Sequence, residues 1–128
     1  MLSNAPNPYL EQQVATASPA RLTAMLFDAL VGAALRGADL LEAGERVAAR
    51  RPLLRAQEIV LELRTSLRSD LGGELARNLD RLYEFVYGQL VRASADSDPL
   101  AAQAAARIAG SLRDSWYDAC LVPAEAAS

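Results

Sequence analysis

A chain of 128 residues, 52% of them apolar, is one domain with material for a single core and not for two. A net charge of −3 and an aromatic content of 5% argue against a nucleic-acid surface, which uses a basic patch and rings for stacking. The single cysteine, Cys120, excludes an internal disulfide, and the absence of His removes His-based zinc sites, Glu-x-x-His di-iron sites and a Ser-His-Asp triad. All thirteen basic residues are Arg, which a GC-rich coding bias explains. No apolar run approaches the roughly 18–20 residues that span a bilayer. Met1–Pro8 lacks both a basic n-region and a hydrophobic h-region, so it does not read as a signal peptide. A reducing cytoplasm is the expected location.

Met1–Pro8, with two prolines and two asparagines, reads as disordered or extended. Tyr9–Val14 has two readings on spacing alone: a short helical turn ended by its apolar residues, or a frayed terminus with incidental hydrophobes. Ser18-Pro19 is a helix start, because Ser18 can accept from free N–H groups and Pro19 at the first position loses no hydrogen bond. The first helix runs to about Leu41–Ala43. Its buried stripe is read as Leu22, Leu26, Leu30, Ala33, Gly37 and Leu40 or Leu41, with Met25 and Ala29 alongside. Small residues at Ala33, Ala34, Gly37 and Ala38 allow a neighbouring helix to approach closely, and Gly44 ends the helix.

Pro52 leaves two starts for the second helix. It begins at Arg51 with Pro52 in its first turn, or near Arg46 with a distortion at the proline. The earlier start is the preferred one, with the end near Arg68. The third helix runs from Gly73 or Glu74 to about Ala93, and Glu74 suits the positive end of its dipole. Ser69–Gly73 turns the chain, since the Gly-Gly pair tolerates positive φ. The seam of this hairpin is read as Ala56, Val60, Leu63 and Leu67 against Leu75, Leu79, Leu82, Val86 and Leu90. Asp98-Pro99 repeats the cap-plus-proline start, and a fourth helix spans about Pro99–Ala119. Its stripe is Leu100 or Ala101, Ala104 or Ala105, Ile108, Leu112 and Trp116. The expectation is an all-α fold: an antiparallel up-down-up-down four-helix bundle over 18–119, preceded by a mobile arm (1–17) and followed by a loose tail (120–128).

Catalysis has little to work with. Glu58 and Glu62 stand at helical spacing beside Arg55 and Arg64, which reads as a solvated face with local ion pairs. Gly72-Gly73 lacks a P-loop lysine, and Cys120 reads as a packed thiol and not a nucleophile. No enzyme, metal or cofactor is expected. What is present in excess is apolar surface. Leu54 and Leu61 lie on a face turned away from the second helix's seam, and Tyr83, Tyr87 and Val91 form a second line on the third, with Phe85 off both. Together they suggest a groove for an amphipathic helix from a partner. Burial of individual members against neighbouring helices is the plainer reading for each residue.

Three blocks resemble the FliS family of flagellar export chaperones. They are Ala17-Ser18-Pro19 leading into Leu22 and Met25–Val31 (MLFDALV), Ala56–Leu67 (AQEIVLELRTSL), and Gly72–Ser94 (GGELARNLDRLYEFVYGQLVRAS). The likeness extends from about Tyr9 to Tyr117, and Tyr9 and Val14 match the family's Tyr-x-x-x-x-Val arm. The resemblance implies a non-enzymatic cytoplasmic bundle that binds the disordered C-terminal region of flagellin. It implies that binding prevents premature polymerisation and that the complex is handed to the export gate of the flagellar secretion apparatus. It also implies an arm (Tyr9, Leu10, Val14) that covers the groove until flagellin displaces it. The partner-binding groove is then assigned to Leu54, Leu61, Tyr83, Tyr87 and Val91, with no nucleic acid and no membrane insertion. The rival reading is a self-associating bundle whose spare apolar face forms a weak homodimer. Two departures from the family pattern stand out: Arg21 where an acidic residue often completes a capping box, and Pro52 with Arg50-Arg51 in place of more regular helical sequence.

Overall fold

The computed structural model describes the backbone over residues 18–70 and 73–120, with side chains throughout except at 67–70. Expectations for the arm, for Leu71 and Gly72, for the side chain of Leu67 and for the tail from 121 onward lie outside the described residues. Four helices follow in order: α1 Pro19–Glu42, α2 Arg46–Asp70, α3 Gly73–Asp96 and α4 Pro99–Cys120. They pack as an all-α bundle in which α1 and α3 each lie between α2 and α4.

Local chemistry sets the boundaries. Ser18 caps α1, its hydroxyl accepting from the Arg21 N–H at 3.2 Å, and Pro19 takes the first position. Gly44, at φ +78°, closes the same helix: Glu45 N–H donates to Leu40 O (2.8 Å) and Gly44 N–H to Leu41 O (3.0 Å). Those two bonds are the Schellman pattern, which needs the left-handed residue that glycine supplies without strain. The second helix starts at Arg46, the earlier of the two candidate starts, and carries Pro52 in its interior. The Ala48 carbonyl therefore loses its usual donor, and Ala48 is exposed, so water can take that place. At the end of α3, Ser97 adopts φ 52°, a left-handed conformation that costs a non-glycine residue about 1–2 kcal/mol. Asp98 follows at once and caps α4 through Leu100 N–H (3.0 Å) and Ala101 N–H (3.4 Å).

One apolar core runs through the bundle. On α1 the buried residues are Ala24, Phe27, Leu30, Ala34, Gly37, Ala38 and Leu41, whereas Leu22, Met25, Leu26, Ala33 and Leu40 are half-buried and Ala29 is exposed. The stripe read from the sequence is therefore turned toward its edge. The helix is apolar over much of its circumference, and spacing alone admits both settings. On α2, Ala56, Val60 and Leu63 lie on the seam, together with Ala49, Leu53 and Ile59. On α3, Val86 and Leu90 are buried and Leu79 is half-buried, but Leu75 and Leu82 are exposed. Tyr83 takes the inward place instead. The α4 face that packs inward is made of alanines 101, 102, 105, 106 and 109; Ile108, Leu112 and Trp116 are half-buried, and Leu100 is exposed. Both ends of the α1–α4 pair are tied, by Trp116 Nε1–H to Ala20 O (2.9 Å) and Gln103 Nε2–H to Glu42 Oε1 (2.7 Å).

Two details of the core generate tests. A Cβ added at Gly37 would stand 2.4 Å from Leu53 Cδ2 and 2.7 Å from its Cγ, and Leu53 is itself buried. Gly37→Ala should therefore lose about 1–2 kcal/mol in urea unfolding, because overpacking (about 1–3 kcal/mol) outweighs the helix-propensity gain of up to about 1 kcal/mol. Gly32→Ala, which meets nothing within 4 Å, should gain up to about 1 kcal/mol. Equal behaviour of the two variants would contradict the close approach.

Tyr83 is 5% exposed and tilts against Phe27, ring centroids 6.3 Å apart; burial pushes its phenol up to about 12. An unfolded phenol loses its proton near 10, about two units earlier. Above that pH the unfolded chain binds fewer protons than the folded one, so stability falls as pH rises. This contribution should be intact below pH 10 and fall by about 2–3 kcal/mol by pH 12. Tyr83→Phe should flatten that part of the profile in denaturant titrations, and an unchanged profile would show that the phenol is not desolvated.

Candidate partner-binding groove

One ion pair orients the groove between α2 and α3. Arg64 Nε–H donates to Asp80 Oδ1 at 2.8 Å and Nη2–H to Oδ2 at 3.1 Å, with Glu84 further off at 3.8 Å. The bidentate geometry is of the strong kind, and the bond to Asp80 is the main cause of the raised Arg64 pKa. Arg64 thus marks the edge of α2 that faces α3, and Asp80 and Glu84 mark the edge of α3 that faces α2. Glu58, Glu62 and Arg55 are exposed and make no ion pair among the described residues. The expected local pairing on that face is replaced by this cross-helix one, because Arg64 sits at the helix junction.

Helical spacing then places the candidates. Leu61 and Leu54 lie about 60–80° round α2 from Arg64, on the outer lip. Tyr87 stands seven residues after Asp80, and Val91 seven after Glu84, so both continue the facing edge of α3. The chains are antiparallel: seven residues each way from the Arg64–Asp80 pair lie Gln57 and Tyr87, and ten each way lie Leu54 and Leu90. Leu54 is 56% exposed, Leu61 46% and Val91 40%, and Tyr87 is half-buried. Val47, 76% exposed, extends the α2 line one heptad toward the helix start. Leu54, Leu61, Val47 and Val91 are thus exposed apolar side chains on α2 and α3, with Tyr87 half-buried beside the α2–α3 junction. Tyr83 does not belong with them. It is one helical turn before Tyr87 but rotated toward the core, where Phe27 and the space between four helices accept a large ring. Tyr9, Leu10 and Val14 lie outside the described residues.

Other features go beyond the sequence reading or depart from it. A mostly apolar cavity of about 320 Å³ opens at the end of the bundle where α1 begins, lined by Phe27, Leu63, Leu79, Tyr83, Leu112 and Trp116 among others. Thr23, Ser66 and Ser115 also line it; these small polar residues, at the edges of otherwise bulky stripes, were the available signal. A shallower depression of about 680 Å³ lies between α1 and α4, lined by Val31, Leu35, Ala106, Gly110 and Arg113; Arg113 also pairs with Asp28 at 3.5 Å. Leu82 and Phe85 are exposed on the flank of α3 turned away from Asp80 and Glu84. Cys120 is exposed at the cavity rim and not packed, since the last turn of α4 runs past its neighbours.

Among the described residues no group of three metal-ligating side chains converges, and no helix is long and apolar enough to cross a membrane. The chain matches the family described as "Flagellar protein FliS" over residues 1–122. It is 32% identical over 108 residues to the flagellar secretion chaperone FliS of Salmonella typhimurium, covering 84% of this chain and 80% of that protein. It is 37% identical over 90 residues to the flagellar secretion chaperone FliSB of Pseudomonas aeruginosa, covering 70% and 71%. To the Vibrio cholerae flagellar secretion chaperone FliS it is 27% identical over 107 residues, covering 84% and 79%. A four-helix bundle with a match of this extent places the chain in the FliS family of flagellar secretion chaperones.

Proposed function

We propose that this protein is a cytoplasmic export chaperone that takes the C-terminal segment of flagellin into the strip between α2 and α3, keeps it from polymerising and delivers it to the export gate. The observation that carries this reading is the line of exposed apolar side chains Leu54, Leu61 and Val91, with Tyr87 half-buried, outside the packed seam of α2 and α3. Such a line matches an amphipathic helix presenting residues at i, i+3, i+4 and i+7. The activity is binding, with no chemical step and no cofactor.

The arm fits the same reading, with a limit set by chain length. At about 3.3 Å per extended residue, Val14 reaches no more than about 17 Å from Pro19 and Tyr9 about 33 Å. Val14 can enter the end cavity, whose wall includes Trp116 beside the first turn of α1. Tyr9 can reach Leu61 and Tyr87. Leu54 lies nine residues beyond Leu63, about 13 Å further along the helix, at the limit of the arm. On this reading Val14 and Tyr9 compete with a client first over the part of the groove nearest Pro19.

Calorimetry with a C-terminal flagellin segment tests both statements. Leu54→Ser with Leu61→Ser should weaken binding at least tenfold, in line with about 1.4 kcal/mol or more of lost apolar burial, while the thermal midpoint stays within a few degrees because both positions are exposed. Deleting residues 1–15 should tighten binding or promote self-association visible by light scattering. A chain that dimerises through this face and takes up no flagellin segment would instead establish the homodimer reading.

A further inference from the structure

The α2 side of the groove is basic at one end, and no carboxylate among the described residues pairs with that charge. Arg46, Arg50, Arg51 and Arg55 fall within ten residues that contain no acid, in a chain whose net charge is −3. All four are exposed, and none makes an ion pair among the described residues. Arg46 also stands at the positive end of the α2 dipole, and Arg46–Arg50 and Arg51–Arg55 are at the repulsive four-residue spacing. For folding alone the cluster is unfavourable.

Its placement on the strip is specific. Arg50 and Arg51 sit three and four residues after Val47 and four and three before Leu54, so they bracket the apolar line on either side. Arg50 lies two heptads before Arg64, on the same α3-facing edge. At Arg64 the facing helix supplies Asp80 and Glu84. At Arg50 the antiparallel register places Ser94 opposite, which carries no charge. The carboxylates nearest that end of α3 are engaged elsewhere: Asp96 and Asp98 with Arg92 at 3.9 and 3.7 Å, and Asp98 also with the α4 backbone.

From this we propose that the Val47–Leu54 end of the groove receives an amphipathic helix bearing carboxylates, which pair with Arg50 and Arg51 while its apolar side chains cover Val47 and Leu54. This rests on the reading of the groove as the flagellin site and specifies the chemistry of the client there. The arm does not supply those carboxylates, since residues 1–17 contain one acid, Glu11.

The test uses the full chain and two probes: a C-terminal flagellin segment, and the same segment with its Asp and Glu changed to Asn and Gln. For the unaltered segment, Arg50→Gln with Arg51→Gln should weaken binding about tenfold at low salt, and most of that difference should vanish at high salt. The neutralised segment should bind both proteins equally. Arg36→Gln with Arg107→Gln, on other helices, should change nothing. Equal binding of the unaltered segment by wild type and the Arg50/Arg51 variant would overturn the proposal while leaving the groove reading intact. Failure of wild type to bind either segment would overturn both. The variant should melt at the same temperature or higher; a clear loss of stability would assign the arginines to the fold, and tighter Arg-dependent binding of duplex DNA would assign them to a nucleic acid, each against the proposal.

Discussion

The approach of α1 to α2 at Gly37 and Leu53 is the constraint from which the rest of the bundle takes its shape. A helix surface without a side chain at Gly37, and with only methyls at Ala34 and Ala38, lets the neighbouring helices lie close. The alanine face of α4 does the same from the other side. Close packing through small residues has a consequence for the bulky ones. The interior is occupied by Phe27, Leu30, Leu53, Ile59, Leu63, Val86 and Leu90, and not by a second row of leucines. On α2 and α3 that second row faces outward, where it forms the lips of the groove. The tightness of one half of the bundle and the apolar surface of the other are thus two results of a single packing solution.

This also explains what could be read in the sequence. Helix number and ends were legible because each rests on local chemistry: Ser18-Pro19, the Gly44 cap and Asp98-Pro99. Even the start of α2 at Arg46 followed from helix-forming residues ahead of a tolerated Pro52. Rotation about the helix axis was less legible. Leu82 and Tyr83 are neighbours 100° apart, both apolar enough to be buried, and the chain buries the tyrosine. Leucine spacing favoured Leu82. The ring of Tyr83 goes inward because Phe27 offers it a partner across the bundle, a contact between residues 56 positions apart that no local pattern contains. The alanines of α4 show the same limit, since a stripe read by its largest members, Ile108, Leu112 and Trp116, misses a face whose role is to be small. The exposure of Leu54, Leu61 and Val91 was legible from their places off the helix seams, and the end cavity was not, because it is a gap among four helices.

On the proposed reading, a preformed strip suits a client that arrives unfolded. Ordering such a segment costs about 2–5 kcal/mol, and the protein can offset this only with surface that needs no rearrangement of its own. The Arg64–Asp80 bridge holds α2 and α3 in fixed register beneath the strip, so the lips do not have to find each other when the client lands.

Charge gives the strip a direction that apolar contact cannot. Leucine and valine side chains accept a helix in either orientation and in several registers, since burial is non-directional. A carboxylate paired with Asp80's side of the groove would be repelled, whereas one at Arg50 and Arg51 finds two guanidiniums with no internal partner. The two ends of the groove therefore favour different ends of a docked helix. Four like charges close together along one helix weaken the empty protein slightly, and that weakness disappears when a partner's acids arrive. A cluster that is unfavourable in the free chain and neutralised in the complex adds selectivity through the difference between the two states, which is the form that specificity takes when apolar contacts alone cannot discriminate.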